Sequence, residues 1–569
     1  MLWDRLRAQC HDLYGEGAGA ALFERLRALI AERAVAPSHN AALTHRDALL
    51  ITYADQVRAP EAAPLATLAA FCNRYCASII TAIHVLPFYP FTSDDGFAVS
   101  DYTAVNPAFG TWDDLAQLHQ RFRLMYDLVL NHVSSAHPWF QAFLRDDPRY
   151  RDYFIVVEGD PDLSAVVRPR ALPLLTPFET PSGVKRVWTT FSADQVDLNY
   201  ANPEVLFEIV KVMLFYAARG ADFLRLDAVA YVWKQIGTTC IHLPQTHRVV
   251  QLLRTVIDLA APHVRLITET NVPHAENIAY FGNGTNEAHL VYNFALPPLV
   301  LHTLHTGDAR ALTQWANTLR APSPQATFLN FLASHDGIGL NPARGILSQA
   351  DLETLVRRVL AAGGYVSEKS NPDGTRSPYE LNINYFDALS IGAKDEDEAI
   401  ARFITAHAIM LALVGLPAIY FHSLFGSRGW QEGVRQLGYY RAINREKLSH
   451  TVLEAELNDP RSRRARVYAA LAQLLRARAK APAFDPFGVQ RTLSSNAGVF
   501  ALLREAPDAS EPVLCLTNVT AQTQLVSLPW RALLGTNNAV RDLITGTRRS
   551  VHGPSLALQP YQTLWLSPR

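Results

Sequence analysis

Cysteine and methionine are scarce, five and four in 569 residues. Cys10, Cys72, Cys76, Cys240 and Cys515 are odd in number and scattered, without paired metal-ligand spacing. They exclude a disulfide framework and point to small buried hydrophobes, reduced thiols in a cytosolic setting. Neither sign of charge dominates, with 52 Lys plus Arg against 53 Asp plus Glu. No global field therefore draws the chain to nucleic acid, a membrane or a strongly anionic partner, and recognition by charge has to be local. Long uncharged apolar runs are missing, and the opening MLWDRLRAQCHDLYGEGAG has no unbroken apolar core behind basic residues. Neither export nor a membrane span is expected, which leaves a cytoplasmic protein. There is no convincing internal repeat, low-complexity tract or coiled coil. No glycine-rich nucleotide loop or metal-ligand cluster occurs either, so no cofactor and no metal are expected.

What the chain does have is apolar mass. With 49% hydrophobic and 18% charged residues it can bury a large core, and its length suits one big domain with smaller ones attached. Residues 1–47 read as an accessory helical segment, with Leu22, Leu26 and Ile30 recurring at helical spacing. From Leu49 onward, short apolar runs alternate with amphipathic stretches, the pattern of β/α units around a parallel sheet. The runs are Leu49–Asp55, Ile80–Pro87, Leu124–His132, Asp222–Ala228, Val264–Asn271, His289–Phe294, Thr327–Asp336 and Pro417–Phe421. Eight such runs predict an α/β fold, a closed (β/α)8 barrel whose active site lies where the strands end. Barrel sequence then occupies 48–132, 198–336 and 389–479. The intervals 133–197 and 337–388 are rich in Pro, Gly and charge and read as inserted subdomains over the barrel mouth. Beyond residue 480 the alternating segments Val499–Leu503, Val513–Asn518 and Thr563–Leu566 predict a small antiparallel β domain over 480–569.

Polar residues gather at the C-terminal ends of the predicted strands: Asp127 and His132 in DLVLNH, Arg225 and Asp227 in FLRLDAVAY, Glu269 in LITETN, His335 and Asp336 in LASHDG. A barrel brings these together. Converging carboxylates repel one another, so folding alone would avoid such a set. Retaining substitution at an anomeric carbon needs it: a carboxylate nucleophile and, about 5 Å away, a carboxyl that first protonates the leaving oxygen and then serves as base. A further carboxylate and imidazoles can bind sugar hydroxyls and stabilise the transition state. Arg225, two residues before Asp227 and on the same strand face, can keep that carboxylate ionised and oriented.

These four segments, in this order, resemble the signature regions of the α-amylase superfamily, glycoside hydrolase family 13, and GLPAIYF at Gly415–Phe421 resembles a further one. The resemblance spans about Leu49 to Arg445. It implies Asp227 as nucleophile, Glu269 as acid/base and Asp336 as transition-state stabiliser, with Arg225, His132 and His335 lining the glucosyl pocket. Within the superfamily, ITYADQV, HVLPFYPFTSDDGF, RLDAVAY, NFALPPLVLHTL, SHDGIG and YYRAINREKL are similar to the sucrose phosphorylase branch. That similarity implies that Asp94 and Arg441 hold the terminal glucose and that Phe97, Phe191 and Tyr231 line the pocket, where aromatic faces suit the apolar faces of a sugar.

A phosphorylase differs from a hydrolase in the acceptor, and phosphate beside ionised carboxylates needs fixed cationic donors. The RPR of the first insertion offers Arg168 and Arg170. The resemblance aligns the branch's phosphate-binding arginine with Arg170 and a phosphate-contacting tyrosine with Tyr379. The second insertion departs from sucrose phosphorylases: Ser377-Pro378-Tyr379-Glu380 stands where they carry Asp-Leu-Tyr-Gln, so the tyrosine is kept and the fructose contacts are not. With LLTPFET, VWTTFSADQVDLNYANPEVL, GTTCIHLPQTH and NPDGTRSPYELN, the chain is most similar to glucosylglycerate phosphorylases. The partners expected are therefore a small α-glucoside and inorganic phosphate, the products α-glucose 1-phosphate and glycerate. Arg376, Lys369 and Arg186 are available to hold a glycerate carboxylate. Other readings stay open here: a sucrose, glucosylglycerol or sucrose 6'-phosphate phosphorylase, an α-glucosidase or transglucosidase, or a non-catalytic carbohydrate-binding protein. Nothing in the sequence fixes an oligomeric state.

Overall fold

The computed structural model describes residues 1–36, 42–371, 373–536, 539–551 and 555–568. Eight parallel strands close into a barrel: β1 Leu49–Thr52, β2 Ala82–Val85, β3 Arg123–Val129, β4 Ala221–Asp227, β5 Arg265–Thr268, β6 Leu290–Tyr292, β7 Thr327–Asn330 and β8 Leu416–Tyr420. Each strand pairs with its neighbours in sequence, and β1 pairs with both β2 and β8 to close the ring. All residues of β1, β2, β3, β4 and β8 are buried. Helices cover the outside and side chains fill the inside, so both faces of a strand are dry and its sequence reads as a continuous apolar run.

The helices between strands are set by their first residues. Pro203–Ala218 begins on a proline, whose missing N–H would be unsatisfied there in any case, and the Asn202 side chain accepts from Glu204 N. The N-terminal helix Leu2–Glu32 kinks at Gly15, whose φ of 72° no other residue adopts cheaply. Its buried stripe, including Leu6, Cys10, Leu22, Leu26 and Ile30, packs on the helices Pro203–Ala218 and Pro244–Ala260. Helix stops at Glu32, and residues 42–47 lead into β1 without helix.

Two excursions rise over the barrel mouth. In the first, His132–Ser134 pairs with Gln195–Asp197, and a hairpin joins Leu175–Thr180 to Gly183–Trp188. The second is an antiparallel sheet in the order Ile338–Gly339, Arg376–Asn382, Tyr365–Ser370, with the helix Gln349–Ala361 beside it. A bridge between Arg168 and Ser370 stitches the excursions together. The C-terminal part is an antiparallel six-stranded sheet with a separate two-stranded one, and Thr405 and Thr327 tie it to the barrel through Tyr561 and Pro486 carbonyls. All five cysteines are buried and unpaired. Among the described residues no helix is long and apolar enough to cross a membrane.

Candidate active site at the barrel mouth

Strand register builds the centre of the site. Asp127 of β3 and Ile267 of β5 both lie opposite Arg225 of β4. Arg225 and Asp227, two apart, share the inward face. One step beyond the pair Leu226 and Thr268 stand Asp227 and Glu269, and the Glu269 N–H donates to the Leu226 carbonyl at 3.3 Å. Immediately after Asp227 the chain turns at Ala228, whose φ of 50° is unusual for a residue with a Cβ. That turn aims the Ala228 N–H at Glu269 Oε2, 3.1 Å away. Asp94 and Asp95 also have positive φ, 51° and 49°. Strained backbone of this kind collects at working sites.

One cavity collects Asp94, Phe97, His132, Arg170, Phe191, Arg225, Asp227, Tyr231, Glu269, His335, Asp336, Tyr379 and Arg441, together with Asn271. Two residues expected at the site from sequence do not line it, Asp127, which is completely buried against Arg225, and Arg168. The Arg168 guanidinium instead donates to the Leu172 carbonyl. None of the three cations suggested for a glycerate carboxylate lines the cavity either. Arg186 pairs with Asp160 at 2.9 Å, Arg376 is exposed on the second excursion, and Lys369 is half-buried near Arg344 and Glu276.

Arg225 is buried and donates from Nη1 to Asp127 and, at 2.7 Å, to Asp227 Oδ1, while its Nη2 lies 3.8 Å from Glu269 Oε2. Burial would raise the Asp127 carboxyl, but the charges of His84 and Arg225 outweigh it and hold it below its ordinary value. For Glu269 burial wins: against Arg225, and helped by the charges of Asp227 and Asp336, it pushes the carboxyl up to about 7. Asp227 is pushed up less, to about 6, again by burial first, with Arg225 opposing. Asp336 goes the other way. Burial there is outweighed by Arg441, His335, Arg445 and Arg225, which keep it well below the usual carboxylate range. The environments thus separate a carboxyl that holds a proton from two that release theirs more readily.

Burial disfavours the charged form of both imidazoles. Burial pushes His335 down to about 3 and lowers His132 as well. His132 Nε2 donates to the Phe97 carbonyl at 3.0 Å while Nδ1 accepts from Asn131 Nδ2 at 3.2 Å. Phe97 stacks on His335 with ring centroids 5.0 Å apart, and Phe191 packs against both His132 and Tyr231. The result is two aromatic walls with the carboxylates at the floor.

Sequence reasoning missed three residues. Arg445, 1% exposed in its side chain, reaches Asp95 at 2.7 Å, Asp94 at 3.3 Å and Asp336 at 3.4 Å, so the ion pair of Asp94 is with Arg445. Glu380, completely buried, accepts from Arg441 Nε and Nη2 at 3.0 and 2.6 Å and from the Gly337 N–H at 2.6 Å. Arg441 Nη1 meets Asp336 Oδ1 at 2.7 Å. A Cβ on Gly337 would lie 2.5 Å from the Leu381 carbonyl oxygen and 2.7 Å from Glu380 Oε1, so only glycine permits this approach. Asn271, whose side chain lies against Gly339, leaves its buried Oδ1 without a hydrogen-bond partner among the described residues.

Closed parallel barrel and converging acids define an α-amylase-type protein, and the alpha amylase catalytic-domain family profile matches residues 75–338. Nearly the whole chain is similar to glucosylglycerate phosphorylases: that of Spirochaeta thermophila is 48% identical, covering 99% of this chain and 98% of the relative. That of Allomeiothermus silvanus is 50% identical, covering 97% and 96%. The chain belongs to the glucosylglycerate phosphorylase family. Among solved structures, sucrose 6F-phosphate phosphorylase from Thermoanaerobacter thermosaccharolyticum superposes with a TM-score of 0.73 at 24% identity, covering 86% of this chain and 97% of that one. At that identity the likeness bears on the fold.

Proposed function

We propose that the protein is a retaining α-glucoside phosphorylase that converts 2-O-α-glucosylglycerate and phosphate reversibly to α-glucose 1-phosphate and glycerate. The observation that carries this reading is the meeting, in one cavity, of Asp227, Glu269 and Asp336 with Arg170 and Tyr379 on a chain so similar to glucosylglycerate phosphorylases.

In the first displacement Asp227 attacks the anomeric carbon and forms a glucosyl ester, while Glu269 gives its proton to the departing oxygen of glycerate. The raised pKa of Glu269 and the contact of Asp227 with Arg225 suit these roles at neutral pH. Asp336, kept ionised by Arg441 and Arg445, binds sugar hydroxyls and stabilises the positive charge that grows on the ring. Asp94 and the imidazoles of His132 and His335 hold the glucose between the aromatic walls. In the second displacement a phosphate oxygen attacks the same carbon and the bond to Asp227 breaks. Any proton on the attacking oxygen passes to Glu269, which is restored. Arg170 and Tyr379 position the phosphate, with the guanidinium offsetting the repulsion of the carboxylates. Buried unpaired thiols suit a cytosolic setting. The test is a panel of α-glucosides with and without phosphate, scored for α-glucose 1-phosphate. Glucosylglycerate should give it in a phosphate-dependent way, and release of free glucose alone would contradict the reading.

A further inference from the structure

Arg225 holds the nucleophile with the same nitrogen that it lends to another acid. Its Nη1 donates to Asp127 and, at 2.7 Å, to Asp227 Oδ1, one hydrogen to each. A guanidinium meets a carboxylate most strongly through two parallel hydrogen bonds. With both oxygens open, Asp127 would compete with Asp227 for the whole of that guanidinium. His84 closes one of them, because its Nε2 lies 2.6 Å from Asp127 Oδ2.

His84 stands on β2, where it pairs with Met125 of β3. Asp127, two residues beyond Met125, is on the same face of that strand, and Arg225 lies opposite Asp127 on β4. His84, Asp127, Arg225 and Asp227 thus form a chain of contacts across three adjacent strands. All four are buried, so a lost donor is not replaced by bulk water. An ionised carboxylate only accepts, which places the shared hydrogen on His84 Nε2. The other ring nitrogen, Nδ1, is buried and has no hydrogen-bond partner among the described residues. His84 does not line the substrate cavity.

We propose that His84 is a positioning residue for the nucleophile: by occupying Oδ2 of Asp127 it limits that carboxylate to one hydrogen of Arg225 and leaves the other for Asp227. The inference rests on the retaining reading above, in which Asp227 attacks. Without the Nε2 donor, Asp127 closes a two-bonded pair with Arg225, and Asp227 is left beside other acids with less of its cation. The titratable groups around Asp227 and Arg225 are Asp127 of β3, Glu269 after β5, Tyr292 of β6, His335 and Asp336 after β7, and Tyr102. Arg225 favours the ionised nucleophile, whereas Asp127 and Asp336 oppose it.

The test reads glucosylation alone, as fluoride released in the first turnover of α-glucosyl fluoride, in a Glu269→Gln background that takes the acid/base out of the pH profile. The rate should rise with pH along one limb as Asp227 ionises. His84→Phe, which keeps a ring and removes the donor, should move that limb up by about one unit, read as roughly tenfold slower glucosylation on the acid side with an unchanged plateau. His84→Gln, whose amide nitrogen can take the place of Nε2, should bring the limb most of the way back. In an Asp127→Asn background the limb should no longer respond to His84→Phe, because the competitor for Arg225 is gone. If the phenyl ring prevents folding, His84→Asn makes the same comparison, since its shorter amide matches Nδ1 and does not reach Asp127. A limb that stays in place in these donor-less variants would overturn the inference, as would an equal loss at every pH, the mark of a merely structural role. If the Glu269→Gln enzyme with His84 intact forms no ester on Asp227, the retaining reading fails instead, so the two failures are distinguishable.

Discussion

Glu380 never reaches the substrate cavity, yet it holds Arg441 by two hydrogen bonds, 3.0 Å from Nε and 2.6 Å from Nη2. Arg441 in turn presents its remaining edge to Asp336. A residue that acts only through another should lose its effect when that other is gone. Glu380→Gln, which keeps the shape and removes the charge, should lower kcat/KM for glucosylglycerate about tenfold, of the order of one charged hydrogen bond. In an Arg441→Ala background the same change should cost almost nothing more, and additive losses would show that Glu380 works elsewhere.

The pH profile follows from the two raised carboxyls. Asp227 must be ionised to attack, so kcat/KM should rise as pH climbs through about 6. Glu269 must hold its proton, so kcat/KM should fall as pH climbs through about 7. With α-glucosyl fluoride, whose departure needs little acid help, Glu269→Gln should remove the alkaline limb and keep the acid one. An unchanged alkaline limb in that variant would assign it to another group.

The same shift makes a stability prediction with the opposite emphasis. Because the folded state raises Glu269 from 4.5 to about 7, it holds the proton more tightly than the unfolded chain does. That contribution to stability is full below pH 4.5 and is lost as pH rises through 7. Glu269→Gln removes the loss, so its Tm should exceed wild type at pH 8 and nearly equal it at pH 4, by scanning calorimetry. A lower Tm than wild type at pH 8 would mean that the carboxylate is well accommodated when charged.

Arg170→Ala should raise the apparent KM for phosphate roughly thirtyfold, the equivalent of about 2 kcal/mol. The donor pocket of Asp94, His132, His335 and Arg441 does not include this residue, so the glucosyl ester still forms and water competes better for it. Products should shift from glucose 1-phosphate toward glucose, followed by chromatography of both. An unchanged product ratio would remove Arg170 from the second displacement.

Much of this architecture was legible in the sequence, for identifiable reasons. Barrel strands buried on both faces leave apolar runs such as LLIT and RLMYDLV, and the acids that follow them stand out against that background. Asp227, Glu269 and Asp336 are readable because strand ends converge in any such barrel. The supporting cations were harder. Arg445 follows a short 3-10 segment, Tyr440–Asn444, and meets Asp94 across some 350 residues of chain, a contact with no spacing rule. Which of Arg168 and Arg170 reaches the cavity is not written in their adjacent positions in one loop; the fold places Arg170 in the lining and Arg168 on the Leu172 carbonyl. Glu380 looked like a lost acceptor contact, and only the close approach of Gly337 and Arg441 reveals what it holds.

The central claim is a glucosyl ester on Asp227 that phosphate resolves. Glu269→Gln enzyme given α-glucosyl fluoride should accumulate that ester, because departure of fluoride needs little acid and the later step lacks its base. Quenching in acid, digestion and mass spectrometry should place one glucosyl unit on the peptide carrying Asp227. Added phosphate should discharge it as α-glucose 1-phosphate. A glucosyl unit on any other residue, or an ester on Asp227 that only water resolves, would contradict the account.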